Sequence, residues 1–535
     1  MLALLTVSSC TDLDVDVKST YTQYPNSDIA MEAKTNDVYF AYRGALGRRF
    51  DEGNSCNSDE YTAISFDGDY CNGRDMSYFS IHAIDPSASA AQLNVYSDIQ
   101  SGITKCNQVI VEFGGDDAVA SAPVRACRAF YTFLLMEHWG DTPIIDHILE
   151  ETEALERKPR AEVARWIESE LLAVRDNCTR EVSAATYGKP TRWMVDALLA
   201  KLYINWNVYT QDVTSASWSA TAANEKLADC IAACDDVIES DLFDLSDSYR
   251  KKFMYDNGSH IKDFIYAMPF DAVTQQGLTY SRFRTWRQGQ KNNGFYSVEL
   301  SGSVGGNMAL TPEFVELFSL TGDDRNEVIA GDATKETFDV YQYDAVTGEK
   351  TSVRNYYKTA DAPVTFTKKI TLKVQDADLN TGKDLSGWTQ GYRSIKFFPN
   401  VEEVNANGRN MSNDVPIFRY ADILLMKCEA IVRGGAATLG DTPQSLFNQI
   451  RAYVHAPLLS SAPSLQDILD ERGREFLDEH WRRNDLIRFG DFERNWGFKS
   501  LNPNADALTN RLWPLSKDIL ESNTNWEQNK GYSKQ

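Results

Sequence analysis

The sequence predicts a mainly α-helical protein in which two helical blocks flank an irregular insert of loops and short hairpins. Three observations carry that expectation. Apolar residues recur at helical spacing through the first 240 residues and again from about 413 to 490. Between about 241 and 412 the texture changes to Gly, Asn and aromatics with short alternating runs. Prolines fall beside the apolar stripes rather than inside them.

The first block contains five stripes. Val38, Ala41, Tyr42, Ala45 and Leu46 follow the i, i+3, i+4, i+7, i+8 template. Tyr96, Ile99, Ile103, Cys106 and Ile110 form the second, and Val124, Cys127, Phe130, Tyr131, Leu134 and Leu135 the third. Met194, Leu198, Leu202, Trp206 and Tyr209, then Leu227, Cys230, Ile231, Cys234 and Ile238, complete the set. Pro159 and Pro190 stand near two helix starts, where a missing N–H costs little. Helices of this length with short connections imply stacked hairpins. In the insert, "VTGEK" between β-rich runs reads as a hairpin turn. Helices on both sides of the insert argue for one interleaved domain over 28–535, with 491–535 as an extended C-terminal segment.

Bulk composition excludes several functions. The 535 residues carry a formal charge of −23, from 77 acids against 54 bases, a field that repels nucleic acid and anionic lipid surfaces. No apolar run reaches the roughly 20 residues that span a bilayer. The start, "MLALLTVSSC", is an apolar run ending in small residues and Cys10, the pattern of a bacterial lipoprotein signal. Cys10 is then the lipidated first residue of the mature chain, 1–10 a signal remnant, and the polar 11–27 a tether. Most other cysteines sit in helical patterns as small apolar residues, and none forms a CxxC or Cys/His zinc spacing. Cys56 and Cys71 are the one plausible disulfide pair. The six histidines are scattered, so no histidine metal site and no cofactor is expected.

Three stretches concentrate chemistry. "DERGREFLDEHWRRNDLIRFGD" (470–491) offers Glu475, Asp478, Glu479 and His480 as paired acids with a proton shuttle. Helical spacing favours another role, because Leu465, Ile468, Leu469, Arg472, Phe476 and Glu479 fall on one stripe. Charges on an apolar face must be paired, so Arg472, Glu475, Glu479, Arg483 and Asp485 are expected in a structural ion network, with Arg419, Arg451 and Arg488 as partners. "SFDGDYCNGRDMSYFS" (65–80) places Asp67, Tyr70, Arg74 and Tyr78 together. An aromatic face stacks on the apolar side of a pyranose while carboxylates and Arg take its hydroxyls. Asp67, Asp69, Asn72 and Asp75 suggest a calcium loop but miss the EF-hand register by a residue. "GLTYSRFRTWRQGQKNNG" (277–294) interleaves Tyr280, Arg284 and Trp286 as a second carbohydrate platform, and Trp388 with Tyr392 as a third.

Several separated segments then resemble one family. They are "VRACRAFYTFLLMEHWGDTPII" (124–145), "VPIFRYADILLMKCEA" (415–430), "FNQIRAYV" (447–454), "ERGREFLDEHWRRNDLIRFG" (471–490) and "LWPLSKDILESNTNWEQNKGY" (512–532). Their order, with the lipoprotein-like start, resembles the SusD/RagB family of Bacteroidetes outer-membrane nutrient-binding lipoproteins. The resemblance implies tetratricopeptide-like helical hairpins in an α-α superhelix with an irregular ligand-binding region. It also implies glycan capture at the cell surface and a TonB-dependent SusC-like transporter as partner. Two positions depart from the family pattern. Tyr453 stands where a second arginine is common, and Gln92 where a Trp is often found. The expected function is therefore a non-catalytic oligosaccharide receptor. A RagB-like peptide receptor and a surface glycoside hydrolase are the alternatives.

Overall fold

The computed structural model of the chain describes residues 28–69, 74–280, 306–331, 339–343, 350–355 and 366–533. Ten helices of eight residues or more occur among the described residues. The first block holds α1 (Asp28–Tyr39), α2 (Val95–Glu112), α3 (Ala122–Trp139), α4 (Arg160–Val174), α5 (Arg192–Ile204) and α6 (Leu227–Glu239). The second holds α7 (Tyr420–Val432), α8 (Pro443–Tyr453), α9 (Leu465–Glu475) and α10 (Arg482–Phe489). Four two-stranded sheets pair β1 (Tyr61–Ala63) with β3 (Met308–Leu310), β2 (Phe264–Met268) with β8 (Val415–Arg419), β4 (Ile329–Ala330) with β7 (Arg393–Ser394), and β5 (Asp339–Tyr343) with β6 (Lys350–Asn355).

Consecutive helices pack side by side: α2 on α3, α3 on α4, α5 on α6, and α7 on α8. The packing of α6 on α7 joins the two blocks, so the helical stack runs on as though the insert were absent. The antiparallel β2–β8 ribbon explains how this is possible. Phe264 faces Arg419 and Met268 faces Val415, so the chain leaves the scaffold and returns to it on adjacent strands.

Local chemistry sets the boundaries. Thr191 caps α5 by accepting the Met194 N–H, and Thr442 and Ser464 form capping boxes at α8 and α9. Pro443 opens α8, where its lost donor has no helical partner anyway. α3 ends at Gly140, whose φ of 76° a side chain would disfavour. Asp141 then accepts the Arg160 N–H at 2.8 Å, tying this turn to the start of α4. The α2 stripe is buried as expected, while α3 is buried on nearly every face. Each fully buried aliphatic or aromatic side chain of this kind contributes about 1.5–3 kcal/mol.

The structure differs from the stripe readings at three places. The 38–46 stripe is buried but spans a break, because α1 ends at Tyr39 and tight turns carry the chain to a π-helix, Ala45–Arg49. That π-helix brings Gly47 against the backbone of Gly277, a contact with no room for a Cβ. The 194–209 stripe is split at Asn205 into α5 and a short helix, Trp206–Thr210. Finally, α9 ends at Glu475, so Glu479 lies beyond it, in a turn where Asp478 and His480 take positive φ values of 65° and 69°. In the insert β5 and β6 pair antiparallel, whereas the "VTGEK" turn lies outside the described residues.

Candidate functional site

The 470–491 stretch is interior. Arg472, Glu475, Glu479, Arg483 and Asp485 are each 3% exposed or less. Arg419, at the end of β8, donates to Glu479 Oε2 at 2.7 Å, Glu479 Oε1 at 2.9 Å and Glu475 Oε1 at 2.9 Å, and also bonds Asp263. Arg325 bridges Glu471 (2.7 Å) and Glu475 (3.1 Å), and Lys396 reaches Glu479 at 2.6 Å. In a second cluster Arg472 bonds Asp422 at 2.7 Å and Asp485 at 2.8 Å. Arg488 there clasps Glu429 and Asp485. Arg451 pairs with Glu471 at 2.6 Å, and Arg483 donates to Asn57 and the Arg511 carbonyl.

Burial alone would raise the pKa values of Asp263, Asp422, Glu429 and Glu471, but the facing cations outweigh it. Lys252 and Arg419 hold Asp263 at about 2, and Lys201 and Arg472 hold Asp422 at about 2. Glu429 and Glu471 sit at about 2 for the same reason. Such groups stay ionised at any physiological pH and have no proton to give. Tyr453, where the family pattern often has arginine, donates its hydroxyl to Glu475. Gln92, in the position of a common Trp, is fully buried and donates to Glu52 at 2.9 Å.

The predicted ligand residues separate into three groups. Cys10, Tyr70, Cys71, Arg284 and Trp286 lie outside the described residues. Tyr280 and Trp388, expected as sugar platforms, are instead buried at 1% and 0% exposure. The Tyr280 hydroxyl meets His480 Nε2 at 2.7 Å with its ring edge-on to Phe397, and Trp388 packs edge-on to Phe366. Rings enclosed in this way have no free face for a sugar, so they are corrected here to interior packing residues. Tyr392, at 9% exposure, is also buried. Cys56 is buried in the helix Phe50–Cys56.

Asp67, Arg74 and Tyr78 remain, and the fold adds partners from a segment some 300 residues away. Ser65 pairs with Asn380 in an isolated parallel bridge, and Ser65 Oγ donates to the Asp378 carbonyl at 2.6 Å. This docking lays Lys373, Asp378 and Asn380 beside the 65–78 loop. Lys373 Nζ reaches both Asp67 oxygens at 2.9 and 3.0 Å, and Asn380 Nδ2 donates to Asp67 at 3.1 Å. Arg74 Nε donates to Asp378 at 2.5 Å. Hydrogen bonds from Lys373, then Asn380, hold the Asp67 carboxyl below its usual range. Those with Tyr78 and Asp378 keep Arg74 firmly charged. Side-chain exposures of 29% for Asp67, 44% for Arg74, 52% for Lys373 and 36% for Asp378 leave lone pairs and N–H groups open to a ligand. The Asp67 carboxylate thus holds the Lys373 ammonium. Nothing in the 373–383 sequence marks it as a partner of 65–78; the Ser65–Asn380 pairing brings the two together.

Two of the hollows among the described residues border the helical scaffold. One, of about 20 Å³, is enclosed among Tyr42, Phe50, Phe130, Glu137, Glu479 and His480, room for a single water. The other, of about 390 Å³, opens beside the Gly140 turn among Asp141, Arg160, Gln211, Asp212, Thr214 and Lys530. No helix among the described residues is long and apolar enough to cross a membrane.

Paired helices and an insert looped out from a two-stranded ribbon define a helical scaffold protein with a loop-built polar surface patch. The profile of the SusD family matches residues 262–532, about half the chain. The starch-binding protein SusD of Bacteroides thetaiotaomicron is 25% identical over 439 residues, 77% of this chain and 72% of that protein. Among solved structures, a laminarin-binding SusD-like protein superposes with a TM-score of 0.68 at 20% identity, covering 95% of this chain and all of the other. Surface glycan-binding protein A from Bacteroides thetaiotaomicron, in complex with laminarihexaose, superposes with a TM-score of 0.62 at 16% identity, covering 94% and 99%. The chain belongs to the SusD family, whose glycan-binding proteins are non-catalytic.

Proposed function

We propose that this protein is a non-catalytic cell-surface receptor. It captures oligosaccharides and passes them to a TonB-dependent SusC-like transporter in the outer membrane, held there by a lipid on Cys10. The observation that carries the reading is the half-exposed patch of Asp67, Arg74, Lys373 and Asp378, fixed in place by backbone pairing between two distant loops. Charged groups already clamped in ion pairs lose little entropy when they bind sugar hydroxyls, so the patch is preorganised for hydrogen bonding. Relatives named for binding starch and laminarin, and one held in complex with laminarihexaose, support the ligand class. Burial supports the absence of catalysis, because Glu475, Asp478 and Glu479, at 3% exposure or less, leave no gap for a glycosidic bond and a water. A lipid tether raises the effective concentration of receptor and cargo at the transporter mouth.

The test is affinity electrophoresis of the full chain through native gels containing laminarin or amylopectin, beside the Asp67→Ala/Arg74→Ala variant, with a reducing-sugar assay on the same samples. Retardation relieved by the double substitution, without new reducing ends, is expected. Retardation that the substitutions leave unchanged moves the site elsewhere, and release of reducing ends makes the protein a hydrolase. Binding of peptides but of no glycan replaces the ligand class. Co-purification of a TonB-dependent transporter from solubilised outer membranes tests the partner.

A further inference from the structure

We infer that the patch selects uncharged glycans and rejects those bearing carboxylates or sulfates; this rests on the glycan-receptor reading above. The segments 65–78 and 373–384 contain six carboxylates, Asp67, Asp69, Asp75, Asp376, Asp378 and Asp384. Only three cations, Arg74, Lys373 and Lys383, stand against them, so the two segments carry a formal −3 on a chain of −23. The two cations that face the candidate site are each committed to one of those acids. Lys373 holds both oxygens of Asp67 at 2.9 and 3.0 Å, and Arg74 holds Asp378 at 2.5 Å.

Recognition of an anionic sugar needs the opposite arrangement, a guanidinium fork or ammonium free to take the ligand's oxygens in paired, charge-assisted bonds. Here an incoming carboxylate would have to share Arg74 or Lys373 with a carboxylate already paired to it, and would then sit in the field of the remaining acids. A neutral pyranose meets neither obstacle. Its hydroxyls both donate and accept, so they bridge Asp67 to Lys373 and Asp378 to Arg74 without breaking either pair. Asp376 and Asp384, half-exposed and exposed in the same segment, add to a negative field, and repulsion of this kind is how discrimination between similar ligands is usually built.

The experiment is a glycan array carrying neutral, uronate, sialylated and sulfated oligosaccharides, probed with the full chain and with Asp67→Asn/Asp378→Asn at low salt and at 0.5 M salt. For the wild type, binding confined to neutral glycans, at least tenfold above any anionic one, is expected. The double variant removes two negative charges and frees Arg74 and Lys373. Its signal on uronate and sulfated glycans should rise at least fivefold at low salt and fall away at high salt. A wild-type preference for an anionic glycan that Arg74→Ala abolishes overturns the inference and leaves the receptor reading intact. Neutral binding by the wild type with no anionic gain in the double variant overturns the charge argument alone. Binding to no glycan of either kind overturns the receptor reading and this inference with it.

Discussion

Arg419→Met tests whether the buried charges hold the fold together. Arg419 is 1% exposed and donates five hydrogen bonds, to Asp263, to both oxygens of Glu479, and to the side chain and carbonyl of Glu475. Methionine keeps most of the apolar stem but removes the guanidinium, whose carbon lies over the Phe253 and Phe476 rings at 5.5 and 4.8 Å. Each carboxylate keeps one other cation: Lys252 for Asp263, Arg325 for Glu475 and Lys396 for Glu479. The loss is therefore that of one broken buried pair, about 3–5 kcal/mol, rather than of three. Against a total stability of about 5–15 kcal/mol this is large. With a urea slope of about 3 kcal/mol/M it lowers the midpoint by more than about 1 M. Urea unfolding followed by tryptophan fluorescence at pH 8 and pH 5 measures it. Removing a cation raises the pKa of the buried acids left behind, so they take up protons on acidification and the deficit shrinks at pH 5. A deficit of equal size at both pH values would mean that packing, not charge, sets the cost, and no deficit would refute the network's role.

Asp263, Asp422, Glu429 and Glu471, each held at about 2, contribute stability that is present above their unfolded values near 4 and is lost as pH falls through about 2. Acid titration by circular dichroism should therefore show unfolding concentrated between about pH 4 and 2. Asp414 has the opposite sign. Burial raises it to about 7, so its folded form keeps a proton that the unfolded chain releases, and stability declines as pH rises from about 4 through 7. The stability advantage of Asp414→Asn over wild type should grow by about 2–3 kcal/mol between pH 5 and pH 8, measured by urea midpoints. Trp388→Ala should lower stability by about 3–5 kcal/mol, whereas Arg74→Ala should change it by less than about 0.5 kcal/mol. Gly47→Ala should fold poorly, because its Cβ would meet the Gly277 carbonyl oxygen at 2.4 Å; soluble yield and melting temperature read it.

Much of the scaffold was legible because helical burial is periodic. Ile99, Ile103, Cys106 and Ile110 declare one face of α2 without knowledge of what covers it. The 470–491 charges were also legible as interior, since Arg472 shares a stripe with Ile468 and Leu469. Glu479 was placed on that stripe for the wrong reason: spacing cannot foresee a helix that ends at Glu475 and a turn that aims the side chain back at Arg419.

The candidate site was legible only in half. The acids, arginine and tyrosine of 65–78 are the residue types that bind sugars, and three of them meet at the surface patch. Aromatic content misled elsewhere, because Tyr280 and Trp388 have the same composition whether they stack on a ligand or on Phe397 and Phe366.

By itself the sequence determined the helical class and the family, both of which rest on local periodicity and short ordered motifs. Tertiary structure alone decided which charges pair and which rings face solvent. Those properties depend on contacts such as Ser65 to Asn380, 315 positions apart in the chain, and on the β2–β8 ribbon that lets the insert return. A side chain's burial and ion partners are set by what the fold brings opposite it, and no pattern within one segment encodes that.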